Sequence, residues 1–465
     1  MAKQAKPTVY PYIPNSVPAA REAMLKAIKV QSVEELYADI PESIRFRGKL
    51  NLPEPILSEA GLVRHIEGIL AKNTSTREML SFLGAGCYQH HVPAVCDEIN
   101  SRGEFLTAYA GDPYEDHGRF QALFEYESMM GELLNMDVVN VPNYDGFQAA
   151  ATALLMAGRI TGRSKVLLCG TISADKLSKI RDYVQAQLEI GMLEYAPETG
   201  LMNLADLKAK ISGQTAAVFF ENPAYPGFLE IQAAEIAQIA HENGALCVVA
   251  VEPISLGVIN PPVEYGADIA CGDIQSLGIH MLYGGGHGGF IATRDDPKFV
   301  LEFPSRLFGV TSTKVEGEYG FGDVAYERTS FALREEGKEW VGTASALWGI
   351  TAGVYLALMG PQGMLEIGER ILQRTEYAVR KLKKIPGLKI RFDGIHFREF
   401  VVDFNESGKT VKYIQSKLLE KGIFGGKDLS GEFPELGQCA LFAVTEIHSQ
   451  ADIDRLAASL QEVLK

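Results

Sequence analysis

The sequence predicts an α/β fold built on a mostly parallel sheet, followed by a small α+β domain. Three observations carry that expectation. Short apolar runs starting at 165, 192, 216, 245 and 268 (KVLLC, MLEYA, AAVFFE, ALCVVAV, DIACG) recur at regular spacing, and amphipathic stretches such as Ile231 to Asn243 fill most of the gaps. That alternation is the pattern of parallel strands joined by crossover helices. The next run, GGFIAT at 288, follows too soon for a crossover helix, so this strand is expected to run antiparallel. Beyond a long uncharged stretch, strand and helix patterns of a second, smaller unit follow.

Taken in order, residues 1–75 are expected to form a helical arm, 76–335 the large α/β domain, and 336–465 a connecting helix with the small C-terminal domain. In the arm, Pro18 opens a helix running to Val30, at the position where its missing N–H costs least. A second helix follows, with Ser32 and Glu35 spaced as a capping box. Such an arm wraps a neighbouring subunit or its own domain. Val341 to Leu365 carries no charge over a length that could span a bilayer. Its Gly, Ser, Thr and Ala content and the Gly360-Pro361 break read instead as a helix buried between layers. Arg370 to Lys384 then reads as a basic amphipathic helix, LKIRF and REFVVDF as strands, Val411 to Lys421 as a helix, CALFAV as a strand and Ala451 to Leu464 as the closing helix.

Composition excludes several classes of function. A net charge of -15 repels a phosphate backbone, which argues against nucleic-acid binding. The six cysteines form no C-x-x-C pair and sit beside apolar or small residues, as buried thiols do, so neither a disulfide scaffold nor a structural zinc is expected. The first residues contain no apolar core and no small-residue cleavage site. A reducing cytoplasm is the expected location.

Candidate functional residues cluster in three places. The run Gly284 to Gly289 (GGGHGG) would let backbone N–H groups approach an anion, although a tight turn between two strands explains it more simply. Asn143-Tyr144-Asp145-Gly146 precedes a helical run, where free N–H groups favour a phosphate and where plain N-capping uses the same residues. Tyr88, His90, His91, Tyr109 and His117 lie near Gly84-Ala85-Gly86. Adjacent His90 and His91 cannot both face one ligand easily and no Glu stands at metal-motif spacing, so no metal site is expected, and a proton donor or anion contact in a cleft is the alternative to a structurally satisfied histidine. No G-x-S-x-G elbow supports a serine nucleophile.

Longer strings carry a resemblance. PYIPNS, IPESIRF, LNLPEPILSE, FLGAGCYQHHVPAV, GEFLTAY, FQALFEYESMMGELLNMDV, NYDG, EYGADIACGDIQSLGI and VYLALMG, in this order from Pro11 to Gly360, resemble the N-terminal half, or separate alpha subunit, of the P-protein of the glycine cleavage system. The resemblance implies the fold-type I architecture of pyridoxal-phosphate enzymes, with a large α/β domain, a small C-terminal domain and an arm. It also implies an (αβ)2 assembly in which a beta subunit holds pyridoxal phosphate, decarboxylates glycine and passes the aminomethyl group to lipoyl-protein H.

That chemistry needs a lysine to hold the aldehyde and a carboxylate near the pyridine nitrogen. The resemblance places the carboxylate at Glu252, after VVAV, and the lysine in Gln275-Ser276-Leu277-Gly278, where Ser276 stands instead. No lysine occurs between Lys210 and Lys298, and Lys298 and Lys314 are the nearest downstream. This chain is therefore expected to leave the cofactor to its partner. Tyr88 and Tyr109 are expected to face the shared cleft, and His90, matching the family's Tyr-x-His, to contact the substrate carboxylate or the lipoyl arm. The sequence departs from the family pattern over Tyr109 to Gly118, Pro223 to Gly227 and Glu336 to Ala344. A related complex acting on another amine or amino acid, or a catalytically silent structural subunit, are the alternatives.

Overall fold

Strand residues that read as continuous apolar runs need cover on both faces, and the central sheet supplies it. Its seven strands lie in the order Val138–Val139, Gly289–Thr293, Ile269–Asp273, Leu246–Val251, Thr215–Glu221, Lys165–Cys169 and Glu189–Leu193. All run parallel except Gly289–Thr293, which is antiparallel to both neighbours, as its early recurrence in the sequence predicted. Successive side chains alternate between two cores: Leu167, Cys169, Cys247, Val249 and Val251 enter one, and Val166, Leu168, Val248 and Ala250 the other. The strand expected from Met192 begins earlier, at Glu189, because the edge position lets its first residues stay partly exposed.

This computed structural model describes residues 9–10, 12–13, 16–105, 117–339, 341 and 345–465, and the chain divides into two units, Met1–Asn73 and Thr74–Lys465. The first holds the helices Pro18–Ala27 and Glu59–Leu70 with two short 3-10 turns, Val33–Tyr37 and Glu42–Ile44. No described residue of this unit is buried, and Ile44, Phe46, Leu50, Leu52 and Leu57 all stand exposed. The capping box expected at Ser32 does not form. Glu35 Oε1 instead accepts from the Gln31 N–H (3.0 Å) and the Ser32 hydroxyl (3.4 Å), which leaves a single 3-10 turn where a helix was expected. At Ser58 the hydroxyl does cap its helix, accepting from the Gly61 N–H at 3.1 Å.

In the second unit, helix Gly146–Thr161 lies against the sheet on an alanine-rich face. The uncharged stretch is a core helix: Ala346–Leu382 buries Ile350, Thr351, Ala352, Tyr355 and Leu356. It is continuous with the expected basic helix, so the two predicted helices are one, broken only at Gly360 (φ 59°), where Pro361 lacks an N–H to carry the ladder on. Among the described residues, no helix is long and apolar enough to cross a membrane. The C-terminal part carries a four-stranded antiparallel sheet, in the order Lys389–Ile390, Glu399–Asp403, Cys439–Ala443 and Lys427–Asp428, with helices Val411–Glu420 and Gln450–Leu464. Leu80–Ser81 pairs in parallel with Ile423–Phe424, and Phe82 enters the core of this C-terminal part. The following segment, with Tyr88 and His90, is thereby pinned between the two sheets.

Candidate functional site

In an open parallel sheet, ligands bind beyond the carboxyl ends of the strands, where the connections diverge. A cavity of about 660 Å³ lies there. Three acidic residues mark strand ends at its floor: Glu221, Glu252 just past Leu246–Val251, and Asp273. The walls come from Ala85 to Tyr88, the N-terminus of helix Gly146–Thr161, Lys176 and Lys179 of helix Ala174–Val184, His287, and Arg398 and Glu399 of the C-terminal sheet.

On one wall, the predicted pair at Ser276 and Glu252 is brought together. The Ser276 hydroxyl donates to Glu252 Oε1, whose other oxygen accepts from the Ser255 N–H at 2.9 Å. Arg398 completes the group, with Nη2 3.1 Å from Glu252 Oε1 and its guanidinium 4.3 Å from the Tyr88 ring centre. This arginine is 1% exposed, and its backbone has φ 65°. A left-handed non-glycine residue costs on the order of 1–3 kcal/mol and persists only where its surroundings enforce it. Here the turn delivers a long cation to the cavity.

Tyr88 is held from both sides. Gln275 accepts from its N–H (2.9 Å) and donates to its carbonyl (3.0 Å), while the phenol donates to Glu399 Oε2 at 2.7 Å. Glu399 also accepts from the Ala85 N–H at 2.6 Å. Burial raises the Glu399 carboxyl to about 7, against the opposing pull of Tyr88, Ala85 and Arg398. Only glycine fits at Gly84, because a Cβ there would lie 2.5 Å from Ala443 Cβ and 2.6 Å from Glu399 Oε1.

The opposite wall closes the helix N-terminus to anions. Asp145 caps the helix by accepting from the Gln148 N–H (2.7 Å), and Asp273 Oδ2 takes the Gly146 N–H (2.8 Å). Asp273 Oδ2 also accepts from His287 Nδ1 at 3.1 Å. Hydrogen bonds to Asp273 and then to Cys87 raise the His287 imidazolium to about 10. The GGGHGG run is thus a turn that carries a charged histidine, and the NYDG loop is an N-cap. Lys176 donates to Glu221 and lies 5.4 Å from the Phe147 ring centre. Burial pulls its ammonium down, but the charge of Glu221 outweighs this and the net shift is upward.

His90 does not line the cavity. Its Nδ1 donates to Glu446 Oε2 at 2.7 Å, the ring is 2% exposed, and it stands edge-on behind Tyr88 at 6.1 Å. Its partner Glu446, which burial would raise, is held at about 2 by His90 and the His91 N–H. Tyr109 and the side chain of His117 lie outside the described residues. Lys298 pairs with Asp296 at 3.6 Å, and neither Lys298 nor Lys314 lines the cavity. No group of three or more His, Cys, Asp or Glu able to hold a metal occurs among the described residues.

Sequence reasoning missed Lys176, Glu221, Asp273, Arg398 and Glu399. The acids at strand ends had a signal, since each follows an apolar run. Arg398 had none, because only the fold brings it to Glu252.

Residues 11–460 match the family described as Glycine cleavage system P-protein. The chain is 40% identical to a probable glycine dehydrogenase (decarboxylating) subunit 1 of Staphylothermus marinus, covering 98% of each chain. It is 39% identical to the protein of the same name in Pyrococcus furiosus, over 97% of this chain and 99% of that one. Among solved structures it resembles a glycine decarboxylase (P-protein) in inhibitor-bound form, with TM-score 0.83, 33% identity, and coverage of 98% and 100%. A sphingosine-1-phosphate lyase of Burkholderia pseudomallei, at TM-score 0.66 and 14% identity over 91% and 94%, shares the fold alone. With its α/β architecture and its match over nearly the whole length, the chain belongs to the glycine cleavage system P-protein family.

Proposed function

We propose that this chain is the lysine-less subunit of a glycine-decarboxylating P-protein. In this reading a second subunit carries pyridoxal phosphate, releases the glycine carboxylate as carbon dioxide and delivers the aminomethyl group to lipoyl-protein H. The two pair as (αβ)2 in the cytoplasm. The observation that carries the reading is the misfit between this chain's own cleft and the cofactor. The aldehyde would meet the Ser276 hydroxyl, already committed to Glu252. Among the described residues, the lysines lining the cleft are Lys176, engaged by Glu221, and Lys179, whose side chain is 61% exposed and 3.5 Å from Asp145. A phosphate dianion would meet Asp145 and Asp273 at the helix N-terminus. At ~4 Å each such like-charge contact costs about 4 kcal/mol at an effective dielectric of ~20.

The exposed apolar residues of the arm support its role as a strap on a second subunit, since a segment with no core of its own gains stability only by covering another surface. Residues 76–335 and 336–465 serve as the large and small domains in this reading. Tyr88 and Tyr109 are assigned to the face shared with the partner, and His90 acts as a positioning residue that braces Tyr88 from behind. Pro223, Ala224 and Tyr225, in a string that departs from the family pattern, line the cleft. They favour, as a second reading, a paralogous complex acting on another amine.

The test is glycine-dependent carbon dioxide exchange by this chain alone, by the second subunit alone and by the two together. Exchange confined to the mixture supports the proposal. Exchange by this chain alone contradicts it.

A further inference from the structure

We propose that the lysine-less cleft of this chain is itself a binding site for a small zwitterionic amino acid, whose carboxylate is gripped by the buried guanidinium of Arg398. Three observations carry this. The Nε, Nη1 and Nη2 atoms of Arg398 are buried and find no hydrogen-bond acceptor, and the Glu252 oxygen at 3.1 Å lies outside hydrogen-bonding geometry. A guanidinium presents its N–H groups as a planar fork matched to a carboxylate, so such donors in a cavity wall define what would satisfy them.

The cavity also has room for more than a free ion. At about 660 Å³ it is of the size that takes small molecules. Tyr88 stacks under the guanidinium and is itself fixed by Gln275 and Glu399, so the arginine is held in place before any ligand arrives.

The charge of the remaining walls selects the rest of the ligand. Among the described residues, seven carboxylic side chains line the cleft, against two lysines, one arginine and His287. A free phosphate or a dicarboxylate is repelled by that excess. A ligand with a single carboxylate for Arg398 and an ammonium for the acidic surroundings is accepted. An amine without a carboxylate leaves the N–H groups of Arg398 without an acceptor, its charge being met by Glu252 alone. The site neither needs the cofactor nor performs a reaction, and its occupancy would report amino-acid concentration to the subunit that does.

Calorimetric titration of the full-length chain, purified without its second subunit and shown to be folded by circular dichroism, tests this. The probes are glycine, alanine and serine, each beside its decarboxylated amine (methylamine, ethylamine, ethanolamine), with inorganic phosphate as a further probe. The expected result is one-to-one binding of at least one amino acid, with its amine and phosphate weaker by about tenfold or more, the loss of one charge-assisted hydrogen-bonded contact. In folded Arg398→Lys, which keeps the charge and loses the fork, the same amino acid binds about tenfold more weakly. The proposal is overturned if no amino acid of the panel binds, or if the amine or phosphate binds as tightly. Equal binding by folded Arg398→Lys overturns it too. Should that variant not fold, the wild-type panel decides.

Discussion

Replacing His90 by alanine tests its bracing role through the stability of the buried Glu446 carboxylate. In the wild type, Glu446 is held at about 2 rather than 4.5. That displacement corresponds to roughly 3–4 kcal/mol. Because the folded-state value lies below the unfolded one, this stability is fully present above pH 4.5 and is lost as pH falls toward 2. Without His90, the carboxylate keeps the His91 N–H at 2.7 Å but loses the His90 ring donor at 2.7 Å in a site where its side chain is 10% exposed. Breaking such a buried pair costs about 3–5 kcal/mol near neutral pH. The deficit should shrink at pH 3, where Glu446 in the variant is protonated and the wild type has already lost part of the stabilisation it draws from the ionised carboxylate. Urea unfolding of the full-length chain at pH 7 and pH 3, followed by circular dichroism, measures both. A deficit below about 1 kcal/mol at pH 7, or one equal at the two pH values, refutes the assignment.

Three further outcomes follow from the same geometry. In Asp273→Asn, His287 loses its main partner and keeps only Cys87, so its titration, read from imidazole proton resonances, should fall from about 10 toward the ordinary 6.5, and a titration that stays near 10 contradicts the pairing. Gly227→Ala should abolish soluble protein or cost at least about 3 kcal/mol, because its φ is 94° and a Cβ would lie 1.8 Å from the Glu399 carbonyl oxygen; wild-type yield and melting temperature would show the turn to be looser than described. Glu399, raised to about 7, binds a proton that the unfolded chain releases near 4.5, so its contribution to stability falls as pH rises between those values. Tyr88→Phe removes the donor at 2.7 Å and should move the upper limit of that window higher. An unmoved window in stability measured from pH 4 to 9 would show that the phenol does not hold this carboxylate.

The sheet was legible because its strands are buried on both faces and so read as uninterrupted apolar runs, and the reversal at Gly289–Thr293 was legible from chain length alone. The capping box at Ser32 was misread for a local reason, the Glu35 side chain turning back onto Gln31 and Ser32. The single helix Ala346–Leu382 was read as two because the Gly360-Pro361 break is soon followed by the change from uncharged to charged composition at Glu366, yet the helix continues beyond the break. At the site, Glu252 and Ser276 were found because a family pattern fixes their places. Asp273 and Glu221 could have been found as acids ending apolar strands. Arg398 could not, since an arginine opening a strand in the C-terminal sheet looks like any edge residue until the fold sets it over Tyr88. Ring packing against Tyr88 and pairing with Glu446 drew His90 inward, which no local pattern announces.

The central claim is that the reactive amine belongs to another polypeptide. Borohydride reduction of the assembled complex in the presence of pyridoxal phosphate and glycine, followed by mass spectrometry of each separated chain, tests it most directly. The account predicts a pyridoxyl-modified lysine on the second subunit and none on this one. A pyridoxyl group on Lys176, Lys179 or any other lysine of this chain, formed in step with turnover, would contradict it.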